Sequence, residues 1–176
     1  MLQVKGETSV NKLILLFVFD KMESPLSERT ILDICSTSKN DWINYMDCLM
    51  LIQKLLTDGF IYEIPSSDDP LYTLTPEGRE TLANFYINIP KSLREEISQF
   101  VKKNSTKLRS KQECKSDYYQ NKDGSYTVFL RILGAVQPIL ELKFVVPDKK
   151  TANSIYKKWA DKAAEMYSEI YEILVD

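Results

Sequence analysis

Seven consecutive apolar residues, Leu13–Phe19, limit what this 176-residue chain can become. Wound into a helix from about Val10 to Lys21, with Ser9 as N-cap, they cover almost the whole circumference. A helix that is apolar all round must be covered on more than one side. The run is far short of the roughly 20 residues that span a bilayer, so no membrane is expected as a partner. The cover must come from the rest of the chain or from a second copy. The expectation is a homodimer held by this helix, the C-terminal helix or both. The competing arrangement folds the last helix over the first within one chain.

Two more helices follow. Ser27 can cap a helix in which Ile31, Leu32 and Cys35 share a face. Ser36–Asn40 reads as a turn, and a third helix runs from about Asp41 to Thr57 with Ile43, Met46, Leu49, Met50 and Leu56 facing inward. Gly59 supplies the left-handed residue that stops it. Short strands at Phe60–Ile64 and Leu71–Leu74 enclose a polar tip. Thr75-Pro76 then restarts a helix that reaches about Tyr86. Pro90 opens another helix, to about Lys107.

From Cys114 the apolar period changes to two. Residues 114–120 form a strand, Asn121–Gly124 a hairpin turn, and Tyr126, Val128, Leu130 and Ile132 share one face of the next strand while Thr127 and Arg131 point away. In a third strand Leu140, Leu142, Phe144 and Val146 face in, with Glu141 and Lys143 out. This is an antiparallel sheet covered on one side. Its cover is a helix from near Pro147-Asp148 to about Leu174. One apolar row of that helix is Ile155, Trp159, Ala163, Met166, Ile170 and Leu174, and a second is Tyr156, Ala160, Tyr167 and Tyr171. Tyr156, Tyr167, Tyr171 and Trp159 either line a small-molecule pocket or pack as core. The fold class is therefore α+β: residues 1–88, a basic linker helix over 89–112, and a sheet with its long helix over 113–176.

Net charge is −2, but it is unevenly spread. Residues 1–86 carry seven basic and thirteen acidic side chains, 87–112 seven and two, and 113–176 nine and ten. The absence of histidine removes Ser-His-Asp and Cys-His catalysis and histidine metal sites. Cys35, Cys48 and Cys114 form no CxxC and read as reduced thiols of a cytoplasmic protein. No phosphate-binding loop, carboxylate pair or metal motif occurs. No enzyme, cofactor or metal is expected, and the sequence names no effector.

Leu26-Ser27 through Ile34, Leu55–Ile61 (LLTDGFI) and Tyr72–Arg79 (YTLTPEGR) resemble the corresponding segments of PadR-type and MarR-type bacterial transcription regulators. The likeness covers residues 10–86, and the whole chain resembles a family of small bacterial proteins of unknown function with the same start. The resemblance implies a winged helix-turn-helix and a DNA-binding transcriptional regulator with a C-terminal dimerisation or sensing domain. In such a protein the third helix enters the major groove. The residues placed for DNA are then Lys39, Asn40, Trp42, Asn44 and Tyr45 around that helix, and Arg79, Lys102, Lys103 and Lys107 beyond it. Each also has a plainer reading. Trp42 and Tyr45 can be partly buried, Arg79 can pair with Glu77, Glu80 or Asp58, and the run Lys91, Arg94, Lys102, Lys103, Lys107, Arg109 and Lys111 can be a solvated face. Asp41, Asp47 and the tip Ser66–Asp69 oppose a phosphate backbone. They favour the alternative, a winged-helix protein-interaction module that does not bind DNA.

Overall fold

In the computed structural model, which describes residues 3–37, 39–66 and 68–175, the apolar run is buried within its own chain. It lies in α1 (Gln3–Met22), which starts earlier than Ser9 would have it, and all of Leu13–Phe19 are buried. The cover is local: β1 (Leu26–Ser27), α2 (Glu28–Cys35), α3 (Tyr45–Thr57), the hairpin β2 (Ile61–Ile64) and β3 (Leu71–Leu74), then α4 (Pro76–Phe85) and a 3-10 turn at Tyr86–Asn88. α1 packs against α3, β3, α4 and that turn. The expectation that α1 offers an apolar surface to a second copy is thereby corrected.

The chain divides into two compact units, Met1–Ser105 and Thr106–Asp176, and the boundary falls inside α5 (Lys91–Glu113). In the first unit the strands form one antiparallel sheet in the order β1-β3-β2. Two-residue β1 is too short to be visible in the sequence. It pairs Leu26 with Tyr72 and Ser27 with Leu71. Ser27 caps α2 as expected, accepting from the Thr30 amide at 3.2 Å.

α3 begins four residues later than expected, capped by Asn44, whose Oδ1 accepts from the Asp47 amide at 2.9 Å. It ends at Gly59, φ 76°, with the Gly59 amide donating to Leu56 O and the Phe60 amide to Leu55 O. This closing pair of bonds satisfies carbonyls that the helix itself leaves free. Its buried stripe is Cys48, Leu51, Ile52 and Leu55. Met46 and Met50, expected to face inward, are 62% and 59% exposed.

The second unit follows the period-two reading closely. β4 (Cys114–Gln120), β5 (Tyr126–Ile132) and β6 (Leu140–Val146) form an antiparallel sheet in that order. The β4–β5 turn places Gly124 at φ 87°. Thr127 corrects one expectation: it is buried, its hydroxyl donating to Asn121 Oδ1 at 2.9 Å, so the turn and the strand are tied together. α6 (Lys149–Val175) is capped by Asp148, which accepts from the Thr151 amide at 2.9 Å. It packs Ala152, Trp159 and Ala163 onto Val128, Leu130, Ile132 and Val146. No residue after Ala163 in α6 is buried, so the expected row through Met166 and Leu174 is covered over only its first half. Twenty-seven residues make a helix about 40 Å long, whereas seven-residue strands reach about 23 Å. Among the described residues no helix is long and apolar enough to cross a membrane.

Candidate interaction surface

The loop before α3 is a small structure of its own. Ser36 and Asp41 form an isolated antiparallel bridge, and Thr37 and Asn40 exchange backbone hydrogen bonds of 3.2 and 3.1 Å. Asn40, read from the sequence as exposed, is buried here and donates through Nδ2 to Ile34 O at 3.2 Å. Trp42 is half-buried. Its Nε1 donates to Glu96 Oε1 at 2.8 Å, and its ring meets Phe100 edge-on, centroids 5.6 Å apart. Asn44 is engaged as the cap. Ser38 and Ser67, which belong to the expected turn and hairpin tip, lie outside the described residues.

What remains open on α3 is a stripe. Met46 and Met50 are one turn apart, Tyr45 stands beside Met46 at 55% exposure, and Gln53 and Lys54 continue the exposed face. Lys39 and Asp41 are exposed at its entrance. Near the tip end of the hairpin, where Tyr72 pairs with Glu63, burial pushes the Tyr72 hydroxyl above its ordinary pKa, and the negative charges of Glu63 and Glu28 push it the same way. The hairpin tip is held by Ser66, whose hydroxyl donates to Asp69 O and accepts from the Asp68 amide at 3.3 Å. The exposed face of α3 is therefore apolar at its centre, with Lys39, Asp41 and Lys54 at its margins.

The sequence contained the signal for this stripe. Cys48, Leu51, Ile52 and Leu55 already supply an inward face at helical spacing, which leaves Met46 and Met50 on the opposite side.

The other candidates are on other elements. Arg79 pairs with none of its expected partners; its Nη1 is 3.5 Å from Asp20 Oδ1. On α5, the Arg94 guanidinium lies 4.2 Å from the centre of the Tyr86 ring and Lys91 is 3.8 Å from Glu95. Lys102, Lys103 and Lys107 are exposed on that helix. In the second unit Tyr156 borders an open cleft of about 570 Å³ with Tyr118, Tyr126 and Lys149, while Trp159 belongs to the core and Tyr167 and Tyr171 lie outside the cleft. Among the described residues no group of three or more His, Cys, Asp or Glu is placed to hold a metal ion.

One family model, described as a domain of unknown function (DUF4364), matches residues 11–174. The chain belongs to that family. The match takes in both units, so the two are features of one DUF4364 domain. No curated protein and no solved structure matches the chain.

Proposed function

We propose that residues 1–88 are a winged-helix domain and that this DUF4364 chain uses it to dock a protein partner against the outer face of α3, acting as a pair of copies. The order α2, α3, then a β2–β3 hairpin with β1 on its far edge supports the winged-helix assignment. One observation carries the choice of partner: the exposed centre of α3 is Tyr45, Met46 and Met50. Methionines adapt to irregular apolar partners, and an exposed apolar cluster is driven to find cover. A phosphate backbone would instead meet Asp41, Asp47 and the acidic hairpin tip, with Lys39 and Lys54 as the nearby cations.

The second reading, a DNA-binding transcriptional regulator, is favoured by Lys102, Lys103 and Lys107 standing exposed on one helix, where they can meet phosphates. Fluorescence polarisation of genomic fragments, at low and at moderate salt, separates the two. Protein docking predicts no binding at either, and a single defined partner captured by the wild-type chain but lost with Met46→Asp/Met50→Asp. Salt-sensitive DNA binding that Lys102→Ala/Lys103→Ala/Lys107→Ala abolishes would replace that reading with the second one.

A further inference from the structure

We infer that β6 is a self-pairing edge through which two copies of this chain join, turning two three-stranded sheets into one of six strands. This pairing rests on the two-copy reading above and supplies its surface and register.

β6 pairs with β5 along one side, and its other side is a sheet edge. α6 lies mainly over β4 and β5. The consequence is seen on the face turned to the helix. Val128 and Leu130 of β5 are fully buried, whereas their cross-strand neighbours on β6 are not: Leu142 is half-buried and Phe144 is 41% exposed. An apolar strip of Leu140, Leu142 and Phe144 thus runs along an unpaired edge. The opposite edge differs. There the Ser116 hydroxyl of β4 donates to Tyr156 O of α6 at 3.1 Å, so the helix lies over the inner face of that strand.

Charge on the outer face selects the occupant. An edge normally deters pairing by carrying charge, but Glu141 and Lys143 are opposite in sign and two residues apart. Two antiparallel β6 strands related by a two-fold axis at Leu142 place Glu141 of each copy opposite Lys143 of the other. On the inner face Leu142 meets Leu142 and Leu140 meets Phe144. Because successive side chains alternate between faces, only shifts that keep inner residues together are open. Moving the axis to Glu141 stacks acid on acid, and moving it to Lys143 stacks base on base; like charges directly opposite are destabilising. Of these registers, the one centred on Leu142 sets unlike charges opposite each other at both ends of the pairing.

Sedimentation equilibrium of the full chain at micromolar concentration, with two variants, tests this. The wild type is expected to be a dimer. Lys143→Glu sets acids against each other at both ends of the pairing and should weaken association by roughly tenfold or more. Its fold should persist, because Lys143 is exposed and lies opposite Phe129 on β5; circular dichroism checks that. Leu142→Cys places two thiols opposite each other, and oxidised glutathione should link the copies. Leu140→Cys, which faces Phe144, and the wild type should not cross-link. A wild-type monomer overturns the pairing and the two-copy reading together. A wild-type dimer for which Lys143→Glu associates equally well, or Leu142→Cys fails to link, overturns the pairing while the two-copy reading stands. If Lys143→Glu unfolds, the Leu142→Cys cross-link alone decides.

Discussion

Gly78 lies against the backbone of Phe60, so closely that a Cβ at position 78 would be 2.1 Å from the Phe60 carbonyl oxygen. Around this contact the two most recognisable sequence segments lock together. The Thr75 amide donates to Phe60 O at 3.1 Å, the Thr75 hydroxyl to Gly59 O at 2.7 Å, and the Gly78 amide to the Thr75 hydroxyl oxygen at 3.0 Å. One threonine thus caps α4 and ties it to the end of α3. Any side chain at Gly78 must push α4 off that backbone. Gly78→Ala should cost roughly 1–3 kcal/mol, the range for forced overpacking. Urea unfolding measures it, and an unchanged midpoint would mean α4 is not held this closely.

Much of this region was legible because its signals are backbone-chemical: a glycine that must adopt positive φ and a threonine followed by proline; the turn Asn121–Gly124 of the second unit is a signal of the same kind. The start of α3 was not legible. Asp41 and Asn44 are both plausible caps, and only the Ser36–Asp41 bridge, a contact between the two ends of a loop, decides for Asn44. Asn40 and Trp42 read as exposed or ambiguous in the sequence for the same reason, since their partners are the Ile34 carbonyl and the remote Glu96. The end of α5 was also hidden. Nothing in Leu108–Glu113 stops a helix, so it runs directly into β4. On α3 apolar character alone does not set direction: Cys48, Leu51, Ile52 and Leu55 fill the inward face, and Met46 and Met50 are left exposed.

The thiols provide a simple check on the first unit. Cys35 and Cys48 are both buried, and the hydrogen bond between them, with burial, pushes the Cys35 thiol well above its ordinary range. Cys114 is half-buried, and burial raises it as well. A thiolate is the reactive form. An aromatic disulfide reagent at neutral pH should therefore modify at most Cys114 in the folded protein, slowly, and all three after unfolding. Rapid labelling of Cys35 or Cys48 would contradict their placement.

Lys12 and Asp58 join α1 to the end of α3, Nζ to Oδ2 at 2.7 Å, and the Lys12 hydrogen bond holds the Asp58 carboxyl below its ordinary pKa. A depressed carboxylate stabilises the fold above its unfolded pKa, and that stability disappears as pH falls through the folded value. The loss begins near pH 4 and grows below it. Both side chains are partly solvated, so the pair is worth under about 1 kcal/mol. Asp58→Asn should accordingly be slightly less stable at neutral pH and match the wild type at low pH. Equal stability at both would show that the pair contributes nothing.

The second unit depends most on Trp159. Its ring is buried among Val128, Leu130 and Ile132, and its Nε1 donates to Arg131 O at 3.0 Å. The alanines at 152 and 163, two turns before it and one turn after it, let α6 approach the sheet closely enough for that bond. Two losses can then be separated. Trp159→Phe keeps most of the apolar volume but leaves the Arg131 carbonyl without this donor, at a cost of about 1–3 kcal/mol. Trp159→Ala also opens a cavity and should cost about 3–5 kcal/mol. Because this core is built entirely from residues after Ser105, the damage should register on the second unit first. The fluorescence of Trp42, the chain's other tryptophan, reports on the first unit in the same sample. The expected outcome for Trp159→Ala is early protease cleavage within residues 106–175 while Trp42 emission stays native. Simultaneous loss of both signals would show that the two units unfold as one.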